Sequence, residues 1–153
     1  MKILLTIAAI LYSTYSFAQF RNTTWGLSME NVKRIEDAKL IKVNIGDLTY
    51  DLNVSDLNCQ LQYFFSKTGL VEVRYTFTPL VIDRTRFNQT AIWDKTCFNL
   101  TEKYGVPTSG AGAKFRTWDL KDFSIKATLD NSRIGEIVVV SYSPPAASQK
   151  DIL

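Results

Sequence analysis

The chain predicts an α+β fold: two helices packed on one face of an antiparallel sheet, in the order helix, meander, helix, meander. Two observations carry this. Apolar residues recur at helical spacing over 29–36 and again over 84–104, while over 41–77 and 114–142 the apolar period is two. Turn residues cut the period-two stretches into hairpin lengths, and helices gathered on one face of such a sheet make a two-layer domain.

The first helix spans Met29 to Glu36. Ser28 is a good N-cap, Asn31 stands where a capping box would have Glu or Gln, and Val32 and Ile35 sit three apart. Ile41, Val43 and Ile45 then share one side of a strand, Gly46-Asp47 turns, and Leu48, Tyr50, Leu52 and Val54 share one face of the next. Ser55-Asp56 turns again, Leu57 to Phe65 alternates, Lys67-Thr68-Gly69 turns, and Val71, Val73, Tyr75 and Phe77 form a further apolar face before Pro79. The second helix runs from Arg84 to Tyr104. Phe87, Ala91, Trp93, Cys97, Phe98, Leu100 and Tyr104 fall within about half its circumference, opposite Asn88, Lys95, Asn99 and Glu102. Gly105 and Pro107 stop it. Three strands follow, Lys114 to Leu120, Phe123 to Leu129 and Ile134 to Tyr142, with turns at Lys121-Asp122 and Asp130-Asn131-Ser132. Trp25-Gly26 before the first helix and Tyr104-Gly105 after the second are structural joints: each glycine turns the chain without a Cβ clash, and the aromatic beside it pins the helix end to the sheet.

Residues 1–18 read as a secretion signal. Lys2 starts it, Ile3 to Leu11 is apolar, and Ser16-Phe17-Ala18 has the small-x-small form cleaved behind Ala18, which places the protein in the periplasm or outside the cell. The apolar run is too short to span a bilayer, so no membrane span is expected. Residues 19–143 form a single α+β domain, and 144–153, opening on Pro144-Pro145, form a flexible tail. Without Lys2 the formal charge of +3 becomes +2, which is ordinary solubility and not a nucleic-acid footprint. Two cysteines in an oxidising space favour one disulfide, Cys59 to Cys97, since both fall on apolar faces; the alternative is a pair of buried thiols that pack as small apolar groups.

"FRNTTWGLSMENVKRIE" resembles the opening of a group of uncharacterised secreted bacterial proteins whose mature chains begin W-G-x-S-x-x-x-V, here Trp25, Gly26, Ser28 and Val32. "YDLNVSDLNCQLQYFFSKTGLVEVRYTF" and "NLTEKYGVP" are similar to the meander and helix end of that group. The helix start also resembles, at the level of fold, the outer-membrane assembly lipoprotein family (SmpA/OmlA-like) and the repeats of β-lactamase inhibitor proteins, both of which lay helices on antiparallel strands. The resemblance implies an α+β fold and an exported protein; it implies no activity. The lipoprotein cysteine is missing here, as is a G-x-P after the first helix.

Histidine is absent, which removes the usual base of a Ser or Cys triad and the commonest zinc ligand. Cys59 and Cys97 form no C-x-x-C, and Gly110-Ala111-Gly112 lacks the spacing and Lys-Ser/Thr of a phosphate loop. No cofactor or metal is expected. Asp94 falls inside the apolar arc of the second helix, where it is either a perturbed acid or, on the plainer reading, a rim carboxylate paired with Arg84 or Arg74. Lys114, Arg116 and Trp118 share a strand face, either a stripe able to stack on a sugar, base or peptide or an exposed face with one half-buried tryptophan. Asn22, Asn53, Asn88 and Asn99 open N-x-S/T triplets. The reading that results is an exported, non-enzymatic protein binding another protein or envelope component through its sheet or loops. A secreted enzyme inhibitor is the alternative, and a carboxylate hydrolase around Asp94 the third.

Overall fold

The computed structural model describes residues 21–54, 57–77, 89–110, 114–132 and 135–145. Along the chain, α1 (Met29–Ile35) is followed by β1 (Lys39–Val43), β2 (Asp47–Val54), β3 (Leu57–Ser66) and β4 (Gly69–Phe77); α2 (Gln89–Tyr104) is followed by β5 (Phe115–Asp119), β6 (Ser124–Ser132) and β7 (Gly135–Ser143). All seven strands join one antiparallel sheet in the order β1-β2-β3-β4-β7-β6-β5. The α+β class is therefore established, with the sheet dominant. The two meanders are halves of a single sheet, joined where β4 pairs with β7 from Val73↔Tyr142 to Phe77↔Val138.

Because side chains alternate along a strand, residues paired across an antiparallel ladder stand side by side on one face. The register lines up Leu48, Tyr63, Val73, Tyr142, Ile125 and Trp118 in one row across six strands. The next row is Tyr50, Leu61, Tyr75, Val140, Ala127 and Arg116, and a third holds Leu52, Cys59, Phe77, Val138 and Leu129. Val32 of α1 is buried in a cluster with Leu48, Leu61, Tyr63, Leu70 and Val73. Ile92, Trp93, Cys97 and Leu100 of α2 are buried in another with Cys59, Phe77, Trp118, Ile125 and Val138. Ser28 caps α1 by accepting from the Asn31 amide at 3.3 Å.

Several expectations are corrected by packing. The apolar side of β1 is not in the core: all five of its residues are exposed, with Ile45 beyond them, because β1 is the sheet's outermost strand and a bulge between Leu40 and Lys42 breaks its alternation. A second bulge, between Phe64 and Phe65, brings Leu70 opposite Phe65, so Leu70 and not Val71 enters the core. On α2, Ala91 and Phe98 are exposed, and the buried side is Ile92, Trp93, Thr96, Cys97 and Leu100, one narrow stripe of the helix. Residues 84–88 of the expected helix lie outside the described residues, as do the signal segment, Ser55-Asp56 and Pro79. Asp130, Asn131 and Ser132 do not turn; they extend β6 by pairing with Ile137, Glu136 and Gly135. Pro144 is buried, and residues 146–153 of the expected tail lie outside the described residues.

The expected disulfide is absent: Cys59 and Cys97 are free thiols, both buried in the α2 cluster. Burial pushes the Cys59 thiol up to about 11 and raises that of Cys97 as well. Both therefore behave as small apolar groups that fill the space between helix and sheet.

The segment before α1 is tied to the sheet by a two-residue ladder, with the Gly26 amide donating to Leu70 O at 3.0 Å and the Leu70 amide donating to Leu27 O at 2.9 Å. This brings two backbones so close that a Cβ on Gly69, at φ +101, would stand 2.2 Å from Gly26 O. Gly105 also has a left-handed φ, +85, but a Cβ there would meet nothing within 4 Å. The two glycines should separate experimentally. Gly105→Ala is expected to lower stability by about 1 kcal/mol, the strain of a left-handed residue alone. Gly69→Ala, which must also push apart two backbones, should lower it by roughly 3 kcal/mol or more; denaturant midpoints of both variants check the order.

Candidate functional site

Two consecutive left-handed residues, Arg21 at φ 45 and Asn22 at φ 67, curl the chain just ahead of the joint. They bring the Arg21 guanidinium to Glu36, the C-cap of α1, whose side chain is 1% exposed. A buried carboxylate is tolerable only with its acceptor sites filled. Glu36 has them filled: Arg21 donates from Nε at 3.2 Å and Nη2 at 3.1 Å, the Ala38 amide donates at 2.9 Å, and the Tyr63 hydroxyl makes a short bond to Oε2. Arg21 Nη2 also donates to Asp37 at 2.9 Å. Burial alone would raise the Glu36 carboxyl, but the bonds from Arg21, Tyr63 and Ala38 outweigh it and hold the group below its ordinary range. Burial and the Glu36 bond together keep the Tyr63 phenol protonated.

Arg21 also lines the rim of a cleft of about 260 Å³ between α2 and the sheet. Its floor is aromatic. Tyr75 and Tyr142, neighbours on β4 and β7, meet edge to face with ring centres 5.9 Å apart, beside Phe77 and Val140. Lys95, Thr96, Asn99 and Leu100 from consecutive turns of α2 form one wall, and Val54 and Leu57 another. Burial pushes the Tyr75 phenol up to about 12 against the opposing pull of Arg21, and raises Tyr142 further, helped by neighbouring Tyr104 and Tyr75 and by a side-chain bond to Tyr104. Both are neutral hydroxyls at physiological pH.

Two other surfaces stand out. The β1 edge exposes Leu40, Ile41 and Val43 together with Lys39 and Lys42. The other edge, β5, is already paired: the Thr108 amide donates to Thr117 O at 2.7 Å and the Thr117 amide donates to Ser109 O at 3.1 Å. The side chains that alternate with the three apolar rows are largely polar. Arg74, Thr76, Lys126, Thr128 and Ser141 line a shallow trough there, with Arg74 paired to Glu72 and stacked on Phe64 at 4.5 Å.

Lys114, Arg116 and Trp118 are separated by burial. Trp118 is 1% exposed and donates to Gly105 O at 2.8 Å, Arg116 is half-buried with its guanidinium 5.9 Å from the Trp93 ring, and Lys114 is exposed. The register that pairs Trp118 with Ile125 sends this side of β5 into the core, so the three do not form an open stripe. Asp94 is exposed, beside but not in the apolar side of α2; Arg74 pairs elsewhere and Arg84 lies outside the described residues. Trp25 is half-buried against the α1 cluster and donates to Asp122 O at 3.4 Å, while Tyr104 packs edge to face on Phe123 at 5.7 Å. Asn22 is exposed, Asn53 is exposed with its amide donating to Asn58 at 3.1 Å, Asn99 lines the cleft, and Asn88 lies outside the described residues. Arg21, Glu36, Tyr63 and the Tyr75–Tyr142 pair carry no spacing signal, since residues 15 and 27 apart meet only through the tertiary fold.

Among the described residues no group of three or more His, Cys, Asp or Glu side chains is placed to hold a metal, and no helix is long and apolar enough to cross a membrane. The chain matches no protein-family model, no curated protein and no solved structure.

The depressed Glu36 carboxyl sets an acid limit. Its contribution is fully present above the ordinary value of 4.5 and is lost as pH falls through the lower folded value, because the unfolded chain takes up that proton first. Glu36→Gln should flatten the decline in stability below about pH 4.5, measured by denaturant unfolding across pH, and Tyr63→Phe should lower stability near neutral pH by about 1 to 2 kcal/mol.

Proposed function

We propose that this is an exported, non-enzymatic binding protein of the bacterial envelope or exterior, which takes an extended segment of another protein as an added strand on β1. The observation that carries the reading is the contrast between the two sheet edges. β5 is occupied by the Thr108–Ser109 loop, whereas β1 has no strand on its outer side among the described residues and presents Leu40, Ile41 and Val43 to solvent. An edge strand offers a row of backbone donors and acceptors, and main-chain bonds to an added strand supply affinity.

We infer further that α1 and α2 cover the same face of the sheet, since the strand residues each packs on belong to the same three rows. That leaves the polar face and the β1 edge for contact. Lys39 and Lys42 are the only charges on β1, so a partner strand that alternates acidic and apolar residues fits it, whereas a second copy would bring lysines together. Export rests on the signal-like residues 1–18. The non-enzymatic reading rests on the lack of histidine and on cysteines whose burial keeps them as thiols. The inhibitor alternative calls for exposed aromatic loop residues; the exposed aromatics among the described residues, Phe98 and Phe115, lie on α2 and β5.

Ile41 is the residue skipped in the β1–β2 register, so Ile41→Pro places a residue without an amide donor on the edge strand at the one β1 position that has no partner residue on β2. Immobilised protein is expected to retain a partner from the native envelope or culture fraction, and Ile41→Pro to reduce that retention about tenfold or more while thermal unfolding stays near wild type. Equal retention by a folded Ile41→Pro protein would overturn the edge reading.

A further inference from the structure

We propose that the cleft between α2 and the sheet is a separate site for a small apolar carboxylate, its body on the Tyr75–Tyr142 floor and its head between Arg21 and the Tyr75 hydroxyl. The cleft is independent of the β1 edge, and four features give its ligand a chemistry. Its volume of about 260 Å³ lies just below the range of about 300 to 1,000 Å³ usual for small-molecule sites, which suits a compact body and excludes a folded partner. Its floor is aromatic and aliphatic, so the body is apolar. Its charged lining residues are Arg21 and Lys95, and because Glu36 and Asp37 already balance the Arg21 charge, the head is chosen by the hydrogen-bond donors it meets and not by net charge.

The fourth feature is a pair of uncommitted donors. Arg21 is held by Glu36 and Asp37 through Nε and Nη2, and its Nη1 makes no hydrogen bond among the described residues. The guanidinium plane is thereby fixed before any ligand arrives, which removes the ordering that a free arginine would undergo on binding. The Tyr75 hydroxyl, on the cleft floor, likewise has no hydrogen-bond partner among the described residues. A neutral phenol donates, and a carboxylate with one oxygen on Tyr75 and the other on Nη1 satisfies both groups at once. Tyr142 differs, because its side chain is already bonded to Tyr104; it serves as floor.

The test uses one apolar body with three heads: 4-phenylbutyrate, 4-phenylbutanol and 4-phenylbutylamine, titrated by calorimetry and by amide shifts of the isotope-labelled protein. Phenylbutyrate is expected to bind with shifts centred on β4, β7 and the Lys95–Leu100 turn of α2, the alcohol about tenfold more weakly, and the amine more weakly still. Tyr75→Phe removes only the hydroxyl and breaks no hydrogen bond among the described residues, so it folds; it should weaken phenylbutyrate about tenfold. Asn99→Trp, at an exposed rim position, should block the cleft and leave partner retention at β1 unchanged. Equal affinity for the acid and the amine, shifts away from the cleft, or an unchanged affinity in Tyr75→Phe would each overturn the proposal. So would an absence of saturable binding at millimolar ligand.

Discussion

The structure depends on one buried carboxylate. Glu36 ends α1, starts the chain toward β1 through the Ala38 amide, ties the helix to β3 through Tyr63, and anchors the curled N-terminal segment through Arg21. Without partners, a side chain this deeply buried would be protonated or the region would open to water. With them it becomes a point where four parts of the chain must agree on one geometry. Asp37 adds a second bond to the same guanidinium, on an exposed carboxylate that contributes orientation more than stability. The knot also fixes the Arg21 side chain at the mouth of the cleft, so a structural device and a candidate binding group share one residue.

The rest of the molecule follows from how the sheet is finished. The apolar rows of the sheet bury Val32 of α1 in one cluster and the Trp93–Leu100 side of α2 in another. The short ladder between Gly26-Leu27 and Leu70 fastens the N-terminal joint, and the Gly26–Gly69 approach lets backbone come nearer to backbone than any side chain permits. The C-terminal joint works differently: Gly105 turns in the left-handed region and its carbonyl accepts from Trp118, so a core tryptophan of β5 clamps the end of α2.

Local signals made most of this architecture legible and tertiary ones hid the remainder. Alternation over Leu48 to Val54 and Leu57 to Phe65 read correctly as strands because one side of each is buried, and Ser28 and Gly105 marked helix ends by chemistry that acts within a few residues. β1 failed the same reading. Its residues alternate as a core strand would, yet it lies at the edge with a bulge, and nothing local distinguishes an edge strand from a central one. The Lys114–Trp118 stripe was legible as a shared face but not as a buried one, since that depends on which side of β5 meets α2. The joining of β4 to β7 and the meeting of Arg21, Glu36 and Tyr63 rest on long-range contacts that no spacing encodes. The cysteines are a different case: apolar patterning placed both in one cluster, but a shared cluster leaves two thiols free to pack without bonding.

The two edges of the sheet divide its possible contacts. β5 is closed by its own preceding loop, with Thr108 holding both the Thr117 carbonyl and the Asp119 carboxylate through its hydroxyl. β1 retains lysines of the kind that discourage self-pairing, together with apolar side chains that an opposite-charged strand would cover. Hydrogen exchange of the β1 backbone amides, in the free protein and in complex with its captured partner, tests this assignment most directly. Outward amides over Lys39–Val43 should exchange freely alone and become protected in the complex, while exchange on α2 stays unchanged. Protection that appears on α2 or on the polar face of the sheet, with β1 left unprotected, would contradict it.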